Sequence, residues 1–180
     1  MTIGYRVLIF YSAMQTLTVR DIAERIRRPW EDITAVIDRL RGWTDIGLLK
    51  IVEDSDPNPG KGRAREYPVI AVTDAALLTL FVEAGLSALR FGRMEGPGEV
   101  PILELGRKAA KRERRGFAQC LIVWGRPPIS ADQLKYQVEL QEVKIGKSPK
   151  LSTKLNKDAS WSIALNISVQ LKSILARGGA

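Results

Sequence analysis

Residues 27–73 read RRPWEDITAVIDRLRGWTDIGLLKIVEDSDPNPGKGRAREYPVIAVT, and the fold turns on this stretch. Pro29 suits the first turn of a helix, where its missing N–H would have no partner anyway. Ile33, Val36, Ile37 and Leu40 recur at helical spacing, which predicts a helix from Pro29 to Leu40, ending near Gly42. GLLKIVED then reads as a strand, SDPNPGKGRARE as a turn-rich loop and YPVIAVT as a returning strand.

Working outward, TVRDIAERI places Thr18 and Asp21 three apart, as in a capping box with Asp in place of Glu. Ile22, Ala23 and Ile26 follow as an apolar stripe. Upstream, the apolar spacing of GYRVLIFYSAM suits a helix, and a buried strand would also accommodate it. Helix, link, helix, turn, helix, then two strands around a basic loop, make a winged helix-turn-helix.

The segments LTVRDIAERI, ITAVIDRLRGW and GLLKIVEDSDPNPGKGRAREYPVIAVTDAA resemble the MarR and PadR families of bacterial regulators. The resemblance spans Tyr5 to Ala76, less than half of the chain, and VTDAA lacks the glycine of the families' LT-x-x-G step. It implies a support helix, a recognition helix at Pro29–Leu40 and a wing, with dimerisation through helices outside the winged core. Trp30, Glu31, Thr34, Ala35 and Asp38 would face DNA, and Arg39 joins Trp30 and Thr34 as a candidate contact. Lys61, Arg63 and Arg65 alternate, so on a strand rim all three point one way, toward phosphates or a minor groove. The acids Glu31, Asp32 and Asp38 would repel phosphates. They equally suit the positive end of a helix dipole, or could accept from cytosine N4.

The middle stretch DAALLTLFVEAGLSALRFG is apolar nearly all round and must be buried on most faces, in a dimer or in the chain's own core. GRMEGPGEVP follows as a linker. The expected domains are a winged helix at 1–74, a connecting or dimerisation helix at 75–92 and a basic β-containing domain at 93–180. The fold class is therefore α+β.

The 180 residues carry a formal net charge of +8, and all of it falls after Arg90. Through Arg90 there are 12 basic and 12 acidic residues; beyond it there are 16 and 8. Such asymmetry suggests a polyanionic partner, or a basic face kept for solubility. Arg107, Lys108, Lys111, Arg112, Arg114 and Arg115 fall within nine residues against Glu113 alone. Lys147, Lys150, Lys154 and Lys157 follow in a polar loop without acids. Each phosphate neutralised releases counterions, so these clusters fit salt-sensitive binding without sequence preference; a solvated surface is the other reading.

Three strands are expected in this half. FAQCLIVWG is a buried strand. KYQVELQEVKIG alternates, with a register shift that suggests a bulge between Leu140 and Val143. SWSIALNISVQL alternates from Trp161 to Leu171, although Ile163, Ile167, Leu171 and Ile174 also keep a helical stripe. Between the first two, Ser130 could cap a short helix. Trp124, Tyr136 and Trp161 are read as core residues and not as base-stacking platforms.

The absence of histidine removes the usual general base, and a single cysteine, Cys120, excludes an internal disulfide or a multi-cysteine zinc site. Glu142 and Lys144 share one strand face and resemble the E-x-K element of PD-(D/E)xK nucleases, with Asp132 as the upstream acid and Mg²⁺ as the implied ion. Asp132 lacks the preceding proline of that family's motif, since Pro127 and Pro128 lie further upstream. No stretch is long and apolar enough to span a bilayer and no signal sequence is evident, so a cytoplasmic protein is expected. The expectation is a DNA-binding transcriptional regulator that is not an enzyme, forms a homodimer and needs no cofactor. The alternatives are a replication, partition or recombination accessory protein binding DNA or RNA without sequence preference, and the Mg²⁺-dependent nuclease.

Overall fold

A computed structural model of the chain describes residues 16–53, 55, 64–92, 100–111, 117–125, 136–147, 149, 161–167 and 170–171. The fold mixes helices and antiparallel strands, as expected of the α+β class. Strand β1 (Thr16–Leu17) leads into α1 (Val19–Ile26). The capping box forms: Thr18 Oγ1 accepts from the Asp21 N–H, and the Asp21 carboxylate accepts from the Thr18 N–H. Ile22, Ala23 and Ile26 are buried on one stripe.

Helix α2 is Ile33–Asp45, so it starts and ends later than its pattern suggested. Asp32 is its N-cap, accepting from the N–H groups of Thr34 and Ala35. Pro29 and Trp30 lie in the preceding turn. Gly42 is helical, and the true stop is Gly47, whose φ of +77° only glycine adopts freely. There the Gly47 N–H donates to Thr44 O and the Leu48 N–H to Trp43 O, satisfying carbonyls the helix end leaves open. This cap consumes the residues expected to begin a strand. Among the described residues, no strand forms between Leu48 and Glu53; a single backbone bond, Val52 N–H to Glu66 O, joins the two sides.

The returning strand is equally short. β2 is Tyr67–Pro68, and it pairs antiparallel with β1 rather than with residues 48–53. Helix α3 (Ile70–Glu83) starts immediately after, where continued strand was expected. Its β-branched residues would suit a strand, but burial decides the matter: every residue from Ala71 to Phe81 except Thr73 is buried. The single long helix expected to Gly92 is broken at Gly85, φ +77°, before α4 (Ala88–Gly92).

Helix α5 (Ile102–Lys111) buries Ile102, Leu103, Gly106 and Ala109. A Cβ on Gly106 would lie 2.6 Å from a Leu77 methyl, so glycine permits the close approach of α5 to α3. The three expected strands, β3 (Phe117–Gly125), β4 (Tyr136–Lys144) and β5 (Trp161–Asn166), form an antiparallel sheet in the order β4-β3-β5. Pairing runs unbroken from Phe117↔Lys144 to Gly125↔Tyr136, so there is no bulge. Two-sided burial explains the misleading pattern: Val138 is buried on one face and Val143 on the other. The β5 alternation stops at Asn166, and residues 167, 170 and 171 are helical.

Leu121, Val123, Val138 and Leu165 face the helices and join Leu17, Ile22, Leu40, Phe81 and Ile102 in one core cluster. The sequence's first apolar stretch (5–14), the linker beyond Gly92 and the Ser130 cap lie outside the described residues.

Candidate nucleic-acid interface

The turn between α1 and α2 is held from three directions. The Arg28 guanidinium donates to both Glu83 carboxylate oxygens, at 2.8 and 2.6 Å, tying the turn to the end of α3. The Arg28 N–H donates to the Glu31 carboxylate, and the Glu31 N–H donates to Arg28 O. Glu31 also pairs with Arg39 at 2.7 Å, and the Arg39 guanidinium lies 5.6 Å from the Trp43 ring centroid. Burial pushes the Glu31 carboxyl upward, but the hydrogen bonds from Arg39 and the Arg28 backbone outweigh it, leaving it below the usual range. Asp32, held by its two backbone donors, is likewise depressed.

The carboxylates that looked hostile to phosphate therefore have structural work. Asp32 caps α2 and Glu31 clasps the turn to the helix. Both Arg39, which was expected to reach DNA, and Glu31 are spent on each other and half-buried. Trp30 is the opposite case: it stands 78% exposed on the braced turn, where a large apolar ring gains nothing from the fold. Thr34 and Ala35 are exposed as expected, beside Asp38, Arg41 and Asp45. Arg41 pairs with Asp38.

At the base of the expected wing, Arg65 pairs with Asp45 at 2.7 Å. Thr44 and Tyr67 share a hydroxyl hydrogen bond of 3.0 Å. Thr44, Asp45 and Arg65 rim an open cleft of about 620 Å³ with Gly47, Leu49, Lys50 and Ile51. Lys61 and Arg63 lie outside the described residues.

In the second half, the expected cationic group divides. Arg107 is turned inward: its guanidinium donates to both Asp74 oxygens, at 2.6 and 2.7 Å, across the α3–α5 contact. Burial pushes the Asp74 carboxyl up, and Arg107 pulls it back only in part. Lys108 pairs on the surface with Glu104. Lys111 is exposed at the end of α5. Arg112, Arg114, Arg115, Lys150 and Lys154 lie outside the described residues. Lys147 is exposed in the turn after β4, next to Ile145, which is 61% exposed, and Lys144. Because Lys144 pairs with Phe117, this turn sits at the end of the sheet where the chain enters β3 from α5.

Glu142 accepts from the Gln119 side-chain amide at 3.1 Å. Among the described residues no three carboxylate or cysteine groups gather as metal ligands; Asp132 lies outside them. Burial raises the Cys120 thiol, which makes it a poor nucleophile. No described helix is long and apolar enough to cross a membrane.

Residue patterns missed the Arg28–Glu83 brace and the Asp74–Arg107 pair, because partners 55 and 33 residues apart leave no local signal. The exposed Ile145 was missed because an alternating strand hid it. No protein-family profile matches this chain, and no curated protein sequence matches it.

Proposed function

We propose that the chain binds double-stranded DNA as a transcriptional regulator, through a winged helix-turn-helix of the kind seen in the MarR and PadR families. The observation that carries the reading is the antiparallel pairing of Thr16–Leu17 with Tyr67–Pro68. It returns the chain, after α2 and the Val52–Glu66 contact, to the strand that leads into α1. A short strand, two helices and a return of the chain onto that strand are consistent with part of a winged helix. In this reading α2 lies in the major groove with Thr34, Ala35 and Arg41 toward the bases, and Trp30 beside the backbone. The basic loop 56–63 would be the wing, and Lys111, Lys144 and Lys147 add phosphate contacts. A homodimer would need a surface other than the stretch 71–81 of α3, whose apolar residues are buried within their own chain.

One observation favours the accessory-protein reading: α2 exposes Asp38 and Asp45, while Arg39, Arg65 and Arg107 are already paired. There the winged helix docks protein and the basic second half holds nucleic acid without sequence preference. Selection from a random duplex pool at fixed salt separates the two. A regulator enriches one short motif and protects it from cleavage. An accessory protein retains the pool without enrichment, with affinity falling steeply as salt rises. Retention of no nucleic acid at low salt would sink both readings.

A further inference from the structure

We infer that the turn Lys144-Ile145-Gly146-Lys147 is an apolar wedge that enters the minor groove of duplex DNA and opens a base step. The inference rests on the DNA-binding reading and adds to it a second, deforming contact. Strand β4 pairs with β3 at nine consecutive positions without a bulge, so the strand end is firmly placed. The Lys147 N–H donates to Lys144 O at 2.9 Å, closing a tight turn. Gly146 has φ +86°, which lets the chain reverse directly after Ile145.

Ile145 is then held out at 61% exposure, while Ile122, Val123, Val138 and Val143 of the same sheet are buried. Turn geometry does not need a β-branched apolar residue here; Gly, Asn, Asp and Ser are the usual occupants. Lys144 and Lys147 flank it, both exposed, and neither forms an ion pair among the described residues. The nearest acid on the strand, Glu142, accepts a hydrogen bond from Gln119.

The complementary surface therefore carries negative charge on two sides and an apolar slot between them. A minor groove is such a surface: two phosphate rows border it, and a base step can be parted by an inserted Ile, Leu, Phe, Met or Pro. Its width of about 6 Å admits one side chain at a turn tip. An anionic membrane offers the charge, but one isoleucine buries far too little apolar area for stable anchoring.

The test uses the full chain and a duplex carrying a donor and an acceptor dye at its ends, with 2-aminopurine at a central TA step. Wild type should bring the dyes closer and raise the 2-aminopurine emission. Ile145→Ala should bind about ten-fold more weakly, the loss of one buried aliphatic side chain, and should leave the duplex straight. Ile145→Phe should keep the bend. Lys144→Gln with Lys147→Gln should reduce the salt slope by about 2. Circular dichroism melts should be unchanged for all, since the turn is exposed. If Ile145→Ala bends and binds as wild type does, the wedge is wrong while DNA binding stands. If wild type binds no duplex, both fall. If Ile145→Ala instead abolishes binding to phosphatidylserine vesicles and leaves DNA bending intact, the turn is a membrane contact and the wedge is overturned.

Discussion

Asp74 is the one buried carboxylate among the described residues, and it sets the balance of the α3–α5 contact. Its raised pKa says that burial costs the carboxylate more than Arg107 returns. Removing Asp74 alone still strands the guanidinium, which is one-third exposed and can partly turn to water. Asp74→Leu should therefore cost about 2 kcal/mol in urea unfolding, below the range for a fully buried pair. Asp74→Leu with Arg107→Met should recover that loss or exceed it, because neither charge is then desolvated. A double variant no better than the single one would show that the pair is a net stabiliser. Acid acts on these groups in opposite senses. Asp21, Glu31 and Asp32 are depressed, so their contribution is full above the ordinary carboxylate range and is lost as pH falls through their folded values. Asp74 is raised, so its contribution is full at low pH and is lost as pH rises through its folded value. Stability should thus fall below about pH 4, and Asp21→Asn should flatten that fall; urea midpoints between pH 5 and 2.5 would show an unchanged slope if the capping box were idle.

Elements were legible where one local rule governed them. Thr18 and Asp21 announced the start of α1, and the apolar run of β3 announced a strand buried on both sides. They were misread where burial set the outcome. Ile70 and Val72 favour strands, yet α3 carries so much apolar surface that a central helix buries it better. Two glycines, Gly42 and Gly47, could each end α2; only the second is followed by leucines, Leu48 and Leu49, that fall into the core. Gly106 left no sign of its role, because its neighbours read as a basic run. It is the point of closest helix approach, with Leu77 methyls at 2.6 and 2.8 Å from a would-be Cβ. Gly106→Val should push α5 from α3 and cost about 2 kcal/mol, despite glycine's poor helix propensity. Gly106→Ala should cost less, since Leu77 methyls can shift and alanine favours the helix. A thermal melt in which Gly106→Val matches wild type would mean that α5 does not pack on α3 as described.

At the scale of the molecule, the charge division between halves was plain from sequence, but it does not mark a division in packing. Charge is decided by counting, whereas packing depends on which apolar faces meet. Leu77 and Phe81 of α3 share one cluster both with Ile22 and Leu40 and with Ile102 and Leu121. Helix α3 is thus common to the packing of α1 and α2 and to that of the basic half. A chain ending at Gly92 would keep α1, α2 and α3 but strip Gly106 from Leu77 and Arg107 from Asp74. It would then expose apolar surface and an unpaired buried carboxylate together, each destabilising by kilocalories. Such a fragment should bind a hydrophobic dye and lose the sharp thermal transition while keeping part of its helical circular dichroism. The full chain should unfold in one step, with fluorescence and circular dichroism coincident. A fragment that melts as sharply as the full chain, at the same temperature, would mean that α1, α2 and α3 carry their own core and that α3 needs nothing from the sheet side.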